Sequence, residues 1–364
     1  MFRPTTILVL LALQVYANLE HISSSTTKYN LCTLLSKGGN GMVYTAIRSP
    51  LSEEPAVCDL SAERVIVKCA VPSFQPVFES EYAHMLTLQS ESWAPRVFEM
   101  FSAADGGPCL AMERLGIDLE RLRLGYTGKW PSETLGSIGA RMVDIVSELH
   151  NNFGITHTDM HLGNFALGLP DSDGSFSRNL FVIDFGDTRP LVDSDTRSAK
   201  LDALLEVRQI VISIRYLFDA DFTFYVDKRY EYNESQICDQ IPTSLCEALQ
   251  YVYSLSEEDT IDYPKLKEYF ENLMGSSSDG QIHWQPLIDT LGWPVLAKEK
   301  NLFKIAQEGH DEPDQGPQYG PSRVPIPSNI STNKASVQAN SDSTTTKSVP
   351  ITFTLIAIFG SILI

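Results

Sequence analysis

The sequence HTDMHLGN occupies residues 157–164, and the apolar run LFVI at residues 180–183 leads directly into DFG at residues 184–186. An aspartate after a buried strand is often only a turn former, and a three-residue motif recurs by chance. The combination of His-x-Asp-x-x-x-x-Asn with Asp-Phe-Gly at this separation is far more specific than Asp-Phe-Gly alone, because the two motifs together supply the residues of one kind of site. These segments therefore decide how the rest of the chain is interpreted.

Three side chains in these segments suit the transfer of a phosphoryl group from ATP. That reaction needs a carboxylate beside the accepting hydroxyl and oxygen ligands that hold Mg²⁺ across the phosphates. Asp159 has the chemistry for the first task, and Asn164 and Asp184 have it for the second. The sequence therefore predicts catalytic roles for Asp159 and Asn164 and a metal site at Asn164 and Asp184.

A glycine-containing turn and a lysine lie upstream of these segments. The stretch SKGGNGMVY at residues 36–44 separates two strand-like runs, and glycines there let backbone N–H groups close over phosphates. A plain glycine-rich hairpin is the alternative. Lys68 follows in an apolar, strand-like run, where its charge needs a negative partner. Phosphate groups would supply one, and Glu81 on a predicted helix at residues 74–89 would supply another, with Glu79 as second choice.

Apolar periodicity predicts a sheet-rich N-terminal part and a helical C-terminal part. The strand-like runs fall at residues 29–35, 64–70, 96–101 and 109–112. From Pro131 onward the spacing of apolar residues turns helical, and a long buried helix is expected at residues 199–218. Asp202 in that helix either braces the catalytic segment or favours the helix N-terminus.

Residues 29–270 resemble the eukaryotic protein-kinase fold, an α+β fold with a small β-rich N-lobe and a larger helical C-lobe. The sequences MERLGIDLERL at residues 112–122 and DYPKLKEYF at residues 262–270 are similar to the casein kinase I and vaccinia-related kinase group. The resemblance implies that ATP and Mg²⁺ bind and that Asp159 accepts the proton of the substrate hydroxyl. The residues that it places around the nucleotide are Ser36, Gly38, Gly41, Val43, Ile66, Lys68, Glu81, Met112, Glu113, Leu115 and Asp118.

Several positions depart from the family pattern. Ser36 replaces the first loop glycine, and Ile66 replaces the small residue before the lysine. Thr158 replaces the arginine before the catalytic aspartate, so switching by activation-loop phosphorylation is not expected. His161 replaces the lysine two positions after that aspartate. Only residues 187–198 separate the metal-binding motif from the next helical run, and they contain no Ala-Pro-Glu.

These departures leave three functional interpretations. The favoured one is an ATP-dependent kinase that acts on a Ser or Thr hydroxyl of a basic or neutral protein substrate. The short segment after Asp187 and the identity of His161 favour the second, a small-molecule kinase. The third is a kinase-like binding module without turnover. The chain retains Lys68, Asp159, Asn164 and Asp184. Their retention argues against the third interpretation, because a degenerate fold has no chemical need for all four.

Composition constrains the partners and the compartment. The chain has 364 residues, 43% of them hydrophobic, and a net charge of -18, which argues against a nucleic-acid partner. Of its six cysteines, Cys238 and Cys246 are the expected local pair, whereas Cys69 and Cys109 lie in strand-like runs and are expected to be buried thiols. The acceptor sequons at Asn233 and Asn329 fit passage through the endoplasmic reticulum.

The two ends of the chain resemble targeting segments. Residues 1–17 predict a cleaved signal peptide, with an uncleaved anchor as the alternative. A kinase-like domain is then expected at residues 18–308, followed by a disordered Ser/Thr/Pro-rich stalk at residues 309–348. The uncharged tail at residues 349–364 predicts a glycolipid-anchor signal, and a transmembrane anchor is the alternative. The protein is therefore expected in the secretory pathway, extracellular or tethered to the cell surface.

Overall fold

The fold is taken from a computed structural model of the chain. It describes residues 21–38, 41–53, 58, 64–104, 106–126, 128–169, 180–191, 197–219, 238–275, 281–284 and 287. The predicted signal peptide, stalk, C-terminal tail and both sequons lie outside these ranges. Within them, no helix is both long and apolar enough to cross a membrane.

An antiparallel sheet of six strands forms the N-terminal part, in the order β1-β2-β3-β4-β6-β5. The strands are β1 (His21–Ser23), β2 (Thr27–Gly38), β3 (Gly41–Pro50), β4 (Val65–Cys69), β5 (Val97–Ser102) and β6 (Pro108–Glu113). The central strand β4 is buried at every position, which explains why all of its residues except Lys68 are apolar, without alternation. The predicted strands and the hairpin around the glycine turn are confirmed.

The helix α1 (Gln75–Thr87) follows β4 and packs on the sheet. Its buried residues Phe78, Glu81 and Met85 are spaced by three and four positions, which puts them on one face. Glu81 is therefore the acid that points inward. Glu79 is exposed and accepts a hydrogen bond from the Gln75 side chain at 2.9 Å, so the second choice for the lysine partner is wrong.

Helices make up most of the described C-terminal part. They are α2 (Leu119–Gly125), α3 (Ser132–Asn151), α4 (Arg197–Phe218), α5 (Thr243–Ser254) and α6 (Tyr263–Met274). The central helix α3 packs against both α4 and α6. A Cβ at Gly139 would lie 2.3 Å from the Phe270 ring, so the glycine lets α3 and α6 approach closely. The helical predictions from Pro131 onward are confirmed for α3 to α6, whereas α2 was not predicted.

Short strand pairs hold the two motif segments next to each other. The antiparallel pair β8 (Phe165–Leu167) and β9 (Leu180–Val182) brackets the interval between the motifs. The pair β7 (Ile155–Thr156) and β10 (Arg189–Pro190) closes the outer ends. Both motifs therefore lie on loops whose ends are fixed by hydrogen-bonded strands, as functional loops commonly are.

Three disulfides involve all six cysteines. The predicted pair Cys238–Cys246 is confirmed. The expectation that Cys69 and Cys109 are free thiols is wrong, because the two residues stand directly opposite each other on β4 and β6 and are bonded. Sequence indicates that both lie on strands, but the bond depends on the register between those strands.

Candidate active site

Lys68 connects the sheet, helix α1 and the loop after β9. Its ammonium donates to both carboxylate oxygens of Glu81, at 3.0 and 2.9 Å, and to Oδ1 of Asp184 at 2.8 Å. An ammonium has only three N–H donors, so these contacts satisfy all of them. The structure thus brings together three of the side chains that the sequence assigned to the nucleotide site.

Burial keeps the charges of this cluster largely out of water. The Lys68 side chain is 9% exposed and that of Glu81 only 2%, whereas Asp184 retains 21% exposure. Burial by itself would lower the pKa of Lys68, but the carboxylates of Asp184 and Glu81 outweigh it and hold that pKa above its ordinary value. Burial would raise the pKa of Asp184, yet the Lys68 charge holds it below its usual range. The lysine is therefore charged, and Asp184 is the partly accessible carboxylate.

Asp159 lies in a second cluster with Asn164 and His161. The Asn164 amide donates to the Asp159 carbonyl at 2.9 Å and to Oδ2 of its carboxylate at 3.2 Å. Because Asp159 uses the amide nitrogen, the amide oxygen is the atom of Asn164 with metal-ligand chemistry. The Asp159 side chain is 48% exposed, so this carboxylate is open to a substrate.

His161 provides a second partner for the Asp159 carboxylate, at 3.3 Å from Nε2. Burial would raise the pKa of Asp159, but the hydrogen bond and charge of His161 keep it below its usual range. Burial would lower the pKa of His161, and Asp159, followed by Asp184, raises it instead. Asp159 is therefore ionised at neutral pH, beside a histidine that holds its proton more tightly than an ordinary one.

The backbone carries two uncommon conformations at these loops. Asp184 has φ of 66° and Thr158 has φ of 66°, both in the left-handed region that non-glycine residues rarely adopt. Among the described residues, Gln240 alone shares this property outside glycine. Such backbone strain concentrates at functional sites because the surrounding structure must hold it in place.

His157 joins the two motif loops. Its Nε2 donates to the carbonyl of Ile183 at 2.9 Å, and its fully buried ring packs edge-on against Phe185. The backbone N–H of Ile183 in turn donates to the Asn164 carbonyl at 3.1 Å. These contacts fix the segment that carries Asp159 against the residue that precedes Asp184.

Glu206 on α4 is a site residue that the sequence interpretation missed. One of its carboxylate oxygens accepts from the backbone N–H groups of His157 at 2.7 Å and Thr158 at 2.9 Å. Asp202, the residue considered for this role, instead lies 3.4 Å from Arg189. Asp202 and Glu206 are one helical turn apart on α4. Which of the two carboxylates reaches the backbone of the loop before Asp159 depends only on where α4 lies along that loop.

The other Glu206 oxygen continues into the helical core. It hydrogen-bonds Nε2 of His150, whose Nδ1 contacts the hydroxyl of Tyr263 at the start of α6. Burial, followed by the charge of Glu206, raises the pKa of Tyr263, so its hydroxyl remains a donor. The strained loop before Asp159 is therefore supported by a buried chain of polar contacts from α3, α4 and α6.

The predicted nucleotide-binding residues of the sheet lie near Lys68. Val43 on β3 is the register partner of Lys68, and Ser36 on β2 is in turn the register partner of Val43. Gly38 and Gly41 pair at the end of this hairpin. A Cβ on Gly41, which has φ of 148°, would lie 2.1 Å from the carbonyl oxygen of Cys69. Close approach of β3 to the end of β4 therefore requires glycine at position 41, whatever ligand binds there.

The residues predicted to bind the nucleotide after the sheet have structural contacts of their own. Met112 and Glu113 are the last residues of β6, where Met112 pairs with Ile66, and residues 114–118 connect the sheet to α2. The Glu113 carboxylate accepts from the backbone N–H of Arg96 at 2.9 Å. Asp118 caps α2 by accepting from the backbone N–H of Arg121 at 2.9 Å. Their predicted contacts with a nucleotide, and that of the buried Leu115, stay predictions.

Comparisons with known proteins give a similarity that covers only part of the chain. No protein-family model matches the chain. A segment of 77 residues, 21% of the chain, is 32% identical to serine/threonine-protein kinase VRK2 from Homo sapiens and covers 14% of that protein. This similarity supports a protein-kinase-like relationship.

Proposed function

We infer that the protein is an ATP-dependent phosphotransferase with a bilobal protein-kinase-like fold, acting on a Ser or Thr hydroxyl. The contact between Lys68 and Asp184 carries the inference most directly, because it joins a buried strand cation to an accessible carboxylate on the second motif loop. The neighbouring Asp159 carboxylate, ionised and half exposed, supplies the proton acceptor. The similarity of one segment to a serine/threonine-protein kinase agrees with this assignment.

The reaction is an in-line transfer of the γ-phosphoryl group from ATP. The acceptor oxygen forms a bond to the γ-phosphorus while the bond from that phosphorus to the β,γ-bridging oxygen breaks, and ADP leaves. The proton of the acceptor hydroxyl passes to the Asp159 carboxylate, which Asn164 holds in place. Lys68 stabilises phosphate charge, and Glu81 orients Lys68. Rate enhancement comes mainly from positioning and charge neutralisation.

The donor set fits Mg²⁺. This ion commonly binds through one or two protein groups together with substrate phosphates, so it needs no cage made of protein alone. Asp184 and the amide oxygen of Asn164 provide two oxygen ligands on the facing motif loops. In the part of the chain that the structure describes, no three His, Cys, Asp or Glu residues gather into a metal cage. When bound, Mg²⁺ would neutralise charge on the phosphates.

The acceptor and the location are part of the proposal. A basic or neutral protein substrate suits a chain of net charge -18, which also argues against nucleic acid. A small-molecule kinase is the second candidate, favoured by the few residues between Asp187 and Arg197. The terminal segments support a secreted protein tethered by its C-terminal tail. Phospholipase treatment of cells would release a glycolipid-anchored protein and would leave a transmembrane one in place.

Nucleotide binding tests this function at its first step. The purified protein should show a rise in melting temperature with ATP that requires Mg²⁺, and Asp184→Ala should abolish that rise. Asp202→Asn serves as a matched control, because Asp202 is a half-buried acid that contacts Arg189 outside the Lys68 cluster. A wild-type protein without an Mg²⁺-dependent shift would instead support the binding-module interpretation.

A further inference from the structure

A cavity of about 190 Å³ opens beside the Asp159 loop. Both neighbours of Asp159 in sequence line it, and so does His161, which contacts the Asp159 carboxylate. The opposite wall comes from α4 and α5. Its lining includes the side chains of Met160, Leu205, Ile212 and Tyr253 and the polar side chains of Thr158, His161 and Asp202, the last of which contacts Arg189.

Most polar groups in this wall are already engaged within the protein. Gln209 accepts from the backbone N–H of Met160 at 3.2 Å. Arg208 donates to the carbonyls of Val252 and Leu255 at 3.0 and 2.7 Å. Glu206 is engaged by the catalytic loop and by His150. A ligand in the cavity therefore meets mainly the apolar surfaces contributed by Met160 and by helices α4 and α5.

The size of the cavity limits its occupant. An apolar cavity of about 150 Å³ accommodates a benzene molecule, whereas sites for whole drug-sized ligands measure about 300–1,000 Å³. A volume of about 190 Å³ thus matches one large aliphatic or aromatic side chain. A polyhydroxylated metabolite would leave its hydroxyl groups against apolar walls there, which costs free energy.

We propose that this cavity binds a large apolar side chain of a polypeptide acceptor, a few residues from the Ser or Thr that approaches Asp159. The proposal rests on the phosphotransferase function and specifies its substrate class. It gives α4 and α5 the role of an acceptor platform, in place of the short segment after Asp187. The chemistry is unchanged: the acceptor oxygen bonds to the γ-phosphorus, ADP leaves, and Asp159 takes the hydroxyl proton.

Peptide libraries test the proposal with the purified protein. Each library fixes a central Ser or Thr and varies one flanking position among Leu, Met, Phe, Ala, Asp and Lys. At one position we expect kcat/KM to be about tenfold or more higher for Leu, Met or Phe than for Ala, which is the discrimination that a hydrophobic pocket provides. Equal rates for Leu and Ala peptides at every position would overturn the proposal, as would labelling of sugars or amino alcohols without labelling of peptides.

Cavity-filling variants test whether the preference for apolar peptides arises in this cavity. Leu205→Trp and Ile212→Trp should each raise KM for the preferred peptide and reduce its advantage over the Ala peptide. Leu51→Trp is the matched control, because Leu51 is 43% exposed at a turn after β3. An Mg²⁺-dependent shift with ATP shows that a variant is folded. If both folded variants kept the full preference for the apolar peptide, the proposed pocket would be contradicted but the phosphotransferase function would not. If the wild-type protein neither bound ATP nor labelled any acceptor, the phosphotransferase function itself would be contradicted.

Discussion

The Lys68 ammonium lies 2.8 Å from Oδ1 of Asp184, although 116 positions separate the two residues in sequence. The same ammonium holds the Glu81 carboxylate, which is almost fully buried. One cation therefore compensates two acids, one on α1 and one on the loop after β9. Loss of that cation affects folding and ligand binding together, and the two effects can be separated.

Lys68→Met should abolish the Mg²⁺-dependent thermal shift with ATP. It should also lower the free energy of unfolding by about 3–5 kcal/mol, because it leaves the Glu81 charge buried without a partner. The double variant Lys68→Met/Glu81→Leu should regain most of that stability but not ATP binding. Chemical denaturation and thermal shift measure the two properties.

Lys267→Met is the matched control for this substitution. Lys267 forms an ion pair with Asp144 at 2.8 Å, but each side chain is 34% exposed, so solvent screens the pair. Its loss should cost no more than about 1 kcal/mol. Equal destabilisation by the two lysine substitutions would contradict the role assigned to burial.

Glu206→Gln should lower kcat by about a hundredfold, since a displaced catalytic loop misplaces Asp159. The apparent affinity for ATP should change little, because Glu206 contacts neither Lys68 nor Asp184. Asp202→Asn removes the charge one turn earlier on α4. Because Asp202 lines the proposed acceptor cavity, the comparison uses kcat at saturating acceptor, which should stay near the wild-type value. Steady-state kinetics on both variants tests which acid supports the loop, and the reverse ranking would rule out Glu206.

The pH dependence follows from the pair formed by Asp159 and His161. Because the pKa of Asp159 is lowered, the ionised carboxylate stabilises the folded protein above pH 3.8, its ordinary pKa. This contribution is lost as the pH falls through the folded-state pKa. The raised pKa of His161 means that its contribution is complete below the ordinary value of 6.5 and is lost as pH rises through the folded-state pKa.

Activity should therefore decline on the alkaline side as His161 loses its proton. His161→Lys should shift this decline to higher pH, because a lysine keeps its charge there. His161→Gln should remove the alkaline decline and lower the plateau. Profiles of kcat/KM against pH for the three proteins check this, and an unchanged alkaline limb in His161→Lys would contradict it.

A disulfide that closes a longer stretch of chain should stabilise the protein more, with the logarithm of the loop length. Cys69 and Cys109 are 40 positions apart and Cys238 and Cys246 only 8. Loop-closure entropy predicts losses of about 4 and about 2.5 kcal/mol on replacing each pair by alanine. Denaturation of the two double variants measures this difference, and peptide mapping under non-reducing conditions checks the pairing. A larger loss from the shorter loop would contradict the ordering.

Periodicity identified much of this arrangement from the sequence. Glu81 could be chosen over Glu79 because it shares a helix face with Phe78 and Met85, both of which are buried. Lys68 stood out because a charge within a buried strand requires a partner. The motif loops were recognisable because their residue types match one chemistry at a fixed spacing.

Relationships between elements could not be obtained in this way. The Cys69–Cys109 bond depends on the register of β4 against β6, and local patterns do not determine that register. Glu206 reaches the loop before Asp159 because of where α4 lies along it, and Asp202 on the same helix offers the same carboxylate chemistry one turn away. The cavity beside Asp159 likewise exists only where the loop, α4 and α5 meet.

Transfer of labelled phosphate from γ-labelled ATP to a Ser- or Thr-containing peptide tests the central claim most directly. The wild-type protein with Mg²⁺ should label the peptide on its hydroxyl, and Asp159→Asn should reduce this labelling to background while retaining the thermal shift with ATP. The proposed protein-kinase activity would be contradicted if Asp159→Asn labelled the peptide at the wild-type rate. It would also be contradicted if the folded wild-type protein, supplied with Mg²⁺ and peptides of every flanking composition, labelled none of them.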